Sequence, residues 1–128
     1  MGDAGSMIDL SEFGIQYHFF QYIDKAHPDL PIFAIPNGGK GRTWSEGRDL
    51  KQTGTRAGVL DVFCAVARGG YHGLFIEFKA KLGTLSEKQK SWIDKLSAQD
   101  YLCVVLRDPN EAARYLEQYL NGLILKGE

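Results

Sequence analysis

The chain has 128 residues, 44% of them hydrophobic and 24% charged, with a formal net charge of -1. That is the length of one domain and an ordinary globular composition, which excludes a disordered chain, a collagen and a coiled coil. The longest nearly apolar stretch, residues 59–67, is interrupted by Asp61 and is too short to span a bilayer. No charged start leads into an apolar signal region, so a cytoplasmic protein without a membrane partner is expected.

The small net charge conceals an asymmetry: -4 over residues 1–36, +5 over residues 37–90 and -2 over residues 91–128. A basic middle can hold a polyanion locally, and a solvated charged loop reads the same way. Met1–Ser6 reads as an added leader, residues 7–122 as one domain and residues 123–128 as a tail. Cys64 and Cys103 sit in apolar runs and read as small core residues of an intracellular protein, not as a disulfide.

In chain order, Ser11 can cap a helix running to about Lys25, with Phe13, Tyr17, Phe20 and Ile23 roughly on one face. Pro28 and Pro31 end it, and residues 31–35 read as a short strand. A Gly-rich loop, Asn37 to Gly41, precedes a short helix over residues 43–52, with Gly54 just beyond its end. Residues 60–66 and 74–79 read as strands of a hairpin around Arg68-Gly69-Gly70-Tyr71. Ser86 and Gln89 match a capping box that opens a helix to about Gln99, with Trp92, Ile93 and Leu96 inward. Residues 101–106 form an apolar strand. Asp108 and Glu111 match a second capping box, opening a last helix that ends near Leu120. One mixed sheet covered by helices is the simplest assembly of these elements.

Three charged residues interrupt the apolar strands: Asp61, Glu77 and Lys79. Burying one unpartnered charge is costly, so three in one hairpin need a common reason. Glu77 and Lys79, two apart, share a strand face. Asp61 joins them only in one register. A two-residue turn pairing Arg68 with Tyr71 would send Asp61 to the opposite face, whereas a three-residue loop or a bulge would bring it over. Two carboxylates bind a hard divalent cation such as Mg²⁺ or Mn²⁺, which with a lysine suits phosphodiester hydrolysis. A structural salt-bridge cluster has the same spacing.

The series Glu12 with Gln16, Pro36-Asn37-Gly38-Gly39, Leu50-Lys51, Gly54, Gly58-Val59-Leu60-Asp61, Gly73 to Lys79, Gly83, and Ser86 with Gln89 falls in an order that resembles the VRR-NUC (virus-type replication-repair nuclease) domain of the PD-(D/E)xK superfamily. One departure is visible: Leu60 stands where the family usually has proline before its metal-binding aspartate. The resemblance implies an α/β, restriction-endonuclease-like αβββαβ core with a mixed β-sheet flanked by helices. It also implies a Mg²⁺- or Mn²⁺-dependent DNA endonuclease. Short members are similar to Holliday-junction resolvases and tend to be homodimers, which implies branched or four-way DNA as the partner and a phage-type protein. A flap or nicked-duplex nuclease, or an inactive DNA-binding module on the same fold, is the alternative.

By the resemblance, Asp61 and Glu77 are metal ligands, the carbonyl of Phe78 is a further one, and Glu12 reaches the metal directly or through water. Lys79 is the catalytic lysine, and Gln89 lies near the site. Asn37, Lys40, Arg42, Arg48, Lys51 and Arg56 are candidate DNA contacts from the basic middle. Lys81 and Lys88 read as surface residues, and Trp92 and Tyr101 as core. Tyr115 and Tyr119 read as core or a dimer face. His18, His27 and His72 lack ligand spacing.

Overall fold

A computed structural model describes residues 10–36 and 43–127. Eight elements follow in the expected order: α1 (Glu12–Ala26), β1 (Ile32–Ala34), α2 (Trp44–Gln52), β2 (Val62–Cys64), β3 (Leu74–Phe78), α3 (Glu87–Ser97), β4 (Leu102–Leu106) and α4 (Pro109–Leu120). The strands form one sheet in the order β1-β2-β3-β4, antiparallel except for the parallel β3–β4 pair joined through α3. The fold is α/β with a mixed sheet flanked by helices. Among the described residues no helix is long and apolar enough to cross a membrane.

The core occupies one face of the sheet. Val62, Cys64, Leu74, Ile76, Phe78 and Leu106 point there, covered by Ile15, Phe19 and Ile23 of α1 and Ala112, Leu116 and Tyr119 of α4. Helix α1 in fact carries two apolar stripes. The buried one is Ile15, Phe19 and Ile23, at fourfold spacing. The expected inward face divides: Ile23 is buried and Phe20 packs half-buried against the core, whereas Phe13 is 76% and Tyr17 50% exposed. Positions 13 and 15 are about 200° apart around a helix, so both stripes cannot face one sheet. Phe19→Ala should therefore cost about 3–5 kcal/mol of stability, while Phe13→Ala should stay within about 0.5 kcal/mol. Chemical denaturation of the two variants checks this.

Two other expectations shift. Trp92, Ile93 and Leu96 are only half-buried, and no residue of α3 is fully buried. Tyr101 is likewise half-buried, packed edge-on against Phe63 and Phe75 on the second sheet face. At the start of α4, Asp108 accepts from the N–H groups of Asn110 and Glu111. Glu111, however, reaches back to the N–H of Arg107 rather than that of Asp108, so the reciprocal half of the capping box is displaced by one residue. Tyr119 belongs to the core, and its hydroxyl donates to the carbonyl of Val66 at 2.6 Å.

The hairpin contains both of the weighed geometries. Arg68 pairs with Tyr71 across a two-residue Gly69-Gly70 turn, and both glycines have positive φ, 61° and 92°, as a tight hairpin turn requires. Further along, Cys64 pairs with Leu74 and Val62 with Ile76. Residues 65–67 thus oppose only residues 72–73, so a one-residue bulge resets the register. The N–H of Ala65 donates to the carbonyl of Pro31. Residues beyond α4 return to the turn, where the N–H of Lys126 donates to the carbonyl of Gly69.

Candidate active site

Carried one step beyond Val62–Ile76, the reset register sets Asp61 opposite Glu77. Both then lie on the sheet face away from the α1–α4 core, with Lys79 two residues on. Oδ2 of Asp61 accepts the N–H of Phe78 at 2.8 Å, which fixes the carboxylate against β3. The carbonyl of Asp61 accepts the N–H of Ile35 at 2.7 Å, which ties it to the end of β1. Leu60, at the position where proline is usual, is fully buried.

Glu77 is 2% exposed and Lys79 8% exposed, on otherwise apolar strands. Nζ of Lys79 stands 3.8 Å from Oε2 of Glu77. The same Oε2 accepts from Nε2 of Gln89 at 2.9 Å. Gln89 both caps α3 and reaches Glu77. Its Oε1 accepts the N–H of Ser86 at 2.8 Å and its own N–H donates to the Ser86 hydroxyl, completing the capping box. The carbonyl end of the amide is committed to the cap, so the NH₂ end is left for Glu77. The other carboxylate oxygen, Oε1 of Glu77, is buried and receives no hydrogen bond from a described N–H or hydroxyl donor, with the Asp61 carboxyl beside Glu77.

Burial, reinforced by the neighbouring Asp61 carboxylate, pushes the Glu77 carboxyl up to about 8 against the opposing pull of Lys79. Burial also raises Asp61, partly offset by the Phe78 N–H. Without a bound cation, the Asp61–Glu77 pair therefore favours keeping a proton between its two carboxyls. Glu12 is exposed at the first helical position of α1. Its charge is a lesser contribution to the rise of both carboxyls, so it lies near the pair without joining it. Among the described residues, no group of three His, Cys, Asp or Glu is gathered closely enough to hold a metal by itself.

One positioning residue was not singled out in the sequence. Arg107, at the end of β4, donates through Nη1 to the carbonyls of Ala80 at 2.9 Å and Gly83 at 2.7 Å. This pins the turn that follows Lys79. A lone arginine after an apolar strand carries no sequence signal for such a role.

The basic residues divide. Asn37, Lys40 and Arg42 lie outside the described residues. Arg48 is near its sequence neighbour Asp49, at 3.7 Å. Lys51 and Arg56 are exposed and line a cleft against α3.

A desolvated carboxylate, a second carboxylate opposite it and a lysine two residues on, all at the open face of a mixed sheet, are the arrangement of a PD-(D/E)xK-type nuclease. Such enzymes generally use divalent metals and act on DNA. The chain belongs to the VRR-NUC family: the VRR-NUC domain model matches residues 10–108. It is also similar to a solved structure described as a VRR_NUC domain protein, at 26% identity and a TM-score of 0.76, covering 93% of this chain and 95% of that one. No curated protein matches the sequence significantly.

Proposed function

We propose that this nuclease is a Mg²⁺- or Mn²⁺-dependent endodeoxyribonuclease that cuts branched DNA, with four-way junctions as its substrate and a homodimer as its working form. The observation that carries the metal assignment is Oε1 of Glu77, a buried carboxylate oxygen that no described N–H or hydroxyl donates to, beside a second carboxylate. A hard cation with oxygen ligands would satisfy it. Asp61, Glu77 and the carbonyl of Phe78 would hold the ion, with Glu12 close enough to contribute through water. When bound, the cation supplies Lewis acidity to the scissile phosphate and acidifies a water.

The chain's own groups do the rest. Gln89 holds Glu77 by its Oε2, and the Phe78 N–H holds Asp61, so both carboxylates are oriented before any ligand arrives. Lys79, kept in place by Glu77, orients the attacking water and offsets charge developing on the phosphate. The exposed cations Arg48, Lys51 and Arg56, with Asn37, Lys40 and Arg42 of the preceding sequence, are proposed phosphate contacts. Junction binding should weaken steeply with salt, and Lys51→Ala should flatten that dependence by about one unit of log–log slope.

The junction reading calls for a two-fold dimer, because one domain carries one site and a junction needs two symmetric cuts. Leu116 and Tyr119 are spent in the core. The stacked Phe13 and Tyr17 rings, 6.2 Å apart, remain as the candidate dimer surface. Cleavage of a junction, a flap and a linear duplex side by side, with light scattering of the protein alone and on junction DNA, tests this. Preferred junction cleavage by a dimer is expected. One chain per particle in both conditions, with the flap cut best, would replace the resolvase by a flap nuclease.

A further inference from the structure

Helices α2 and α3 enclose a pocket of about 380 Å³ beside the candidate active site. Among the described residues its lining carries four cations, Lys51, Arg56, Lys88 and Lys95, together with Trp92, and no acidic side chain. Lys88, Trp92 and Lys95 are spaced four and three apart, so one face of α3 presents them together. The Trp92 indole donates to the carbonyl of Ala57 at 3.2 Å, and Nζ of Lys95 stands 5.1 Å from its ring centroid. The tryptophan is therefore held in the pocket wall by the loop opposite, not buried in the core.

Lys88 links the pocket to the carboxylate pair through its chain neighbour Gln89. At Gly58, φ 87°, a Cβ would lie 2.6 Å from Cβ of Lys88. The loop leading to Asp61 thus rests on the first turn of α3, directly before Gln89, which holds Glu77. Gly47 lines the opposite side in the interior of α2. Nothing lies within 4 Å of where its Cβ would be, so packing does not require glycine. Glycine in a helix interior weakens the helix relative to alanine, and here its effect is to leave the pocket wall bare.

Clustered cations with an aromatic ring, in a cavity near the lower end of the small-ligand range, have the chemistry of single-strand recognition. We propose that this pocket takes one unpaired nucleotide of the substrate DNA strand, its phosphate among the lysines and Arg56 and its base against Trp92. The inference rests on the nuclease reading for the identity of the substrate, and on a four-way junction it requires one nucleotide at the branch point to leave its pair when the strand binds.

The test is binding of a short oligothymidylate to the full chain in EDTA, so that nothing is cut. It is read by anisotropy of the labelled oligomer and compared with an abasic oligomer of equal length and a duplex. The expected results are about tenfold weaker binding of the abasic strand, from the lost stacking, and a similar loss of oligothymidylate binding in Trp92→Ala. Lys88→Ala combined with Lys95→Ala should weaken binding and flatten its salt dependence by about two units of log–log slope. Gly47→Leu, which adds bulk without charge, should also weaken it, whereas Gly47→Ala should raise the melting temperature and so reports that α2 is intact. Equal binding of the abasic and thymidine strands, or an equal effect of Gly47→Leu on duplex and single strand, would overturn the proposal. Cleavage in Mn²⁺ is scored separately. Oligothymidylate binding without cleavage of any DNA would sink the nuclease reading and leave the pocket standing, and the reverse result would sink the pocket alone.

Discussion

Asp61→Ala and Lys79→Ala should both abolish DNA cleavage, and only the first should abolish tight Mn²⁺ binding. Asp61 supplies one of two carboxylates at the site and is fixed by the Phe78 N–H. Removing it leaves one carboxylate and a carbonyl, too few charged oxygens for a hard cation. Lys79 carries positive charge and cannot be a ligand. Its ammonium stands 3.8 Å from Oε2 of Glu77, where it can serve the attacking water and the phosphate. Loss of a group aimed at transition-state charge costs about 10²–10³ in turnover. Calorimetric Mn²⁺ titration separates the two variants: Lys79→Ala should keep its metal and lose its rate. Wild-type metal affinity in Asp61→Ala would remove Asp61 from the ligand set.

The metal-free protein should lose stability as pH rises from about 4.5 towards 8. The Glu77 carboxyl, ordinarily near 4.5, is pushed up to about 8 by burial and by Asp61. Below its ordinary value Glu77 is protonated in both folded and unfolded chains, and its contribution is fully present. Between the two values the folded state holds a proton that the unfolded state has released, so stability falls with pH. Above about 8 both states are ionised and the decline stops. A bound cation should reverse the trend, adding about 2.7 kcal/mol at a hundredfold excess over its dissociation constant. Because binding must displace the Glu77 proton, Mn²⁺ uptake at pH 7 should release about one proton, measurable by calorimetry in buffers of different ionisation enthalpy. Glu77→Gln should flatten the melting curve against pH. A parallel decline in Glu77→Gln and wild type would place the titrating group elsewhere.

The elements that carry the site were legible because they break local rules. Asp61, Glu77 and Lys79 stand out as charges in apolar strands, and Ser86 with Gln89 forms a capping box wherever a helix starts. The register that unites them was not legible. A tight Gly69-Gly70 turn predicts one pairing, and the bulge over residues 65–67 restores the other. That bulge lies where Ala65 continues the β1–β2 ladder onto Pro31, a tertiary contact with no local signature. Helix α1 misled for a different reason. Aromatic residues occupy both of its stripes, and hydrophobicity alone does not say which one meets the sheet. On α3, Lys88 reads as surface and Trp92 as core in the sequence, and only the packing of α2 and the loop at Ala57 brings them into one pocket with Lys95. Arg107 acts on carbonyls of a turn more than twenty residues earlier, a relation that only the folded chain reveals.

The central claim is that Asp61, Glu77 and Lys79 form a metal-dependent phosphodiester-cleaving site. Its most direct test is the rate at which purified protein cuts a labelled four-way junction in Mn²⁺, in EDTA, and in Mn²⁺ with Asp61→Asn. The site predicts cleavage in the first condition alone, at two symmetric positions on opposing strands. Cleavage that persists in EDTA or in Asp61→Asn, or no cleavage of a junction, a flap or a duplex in Mn²⁺ or Mg²⁺, would contradict it.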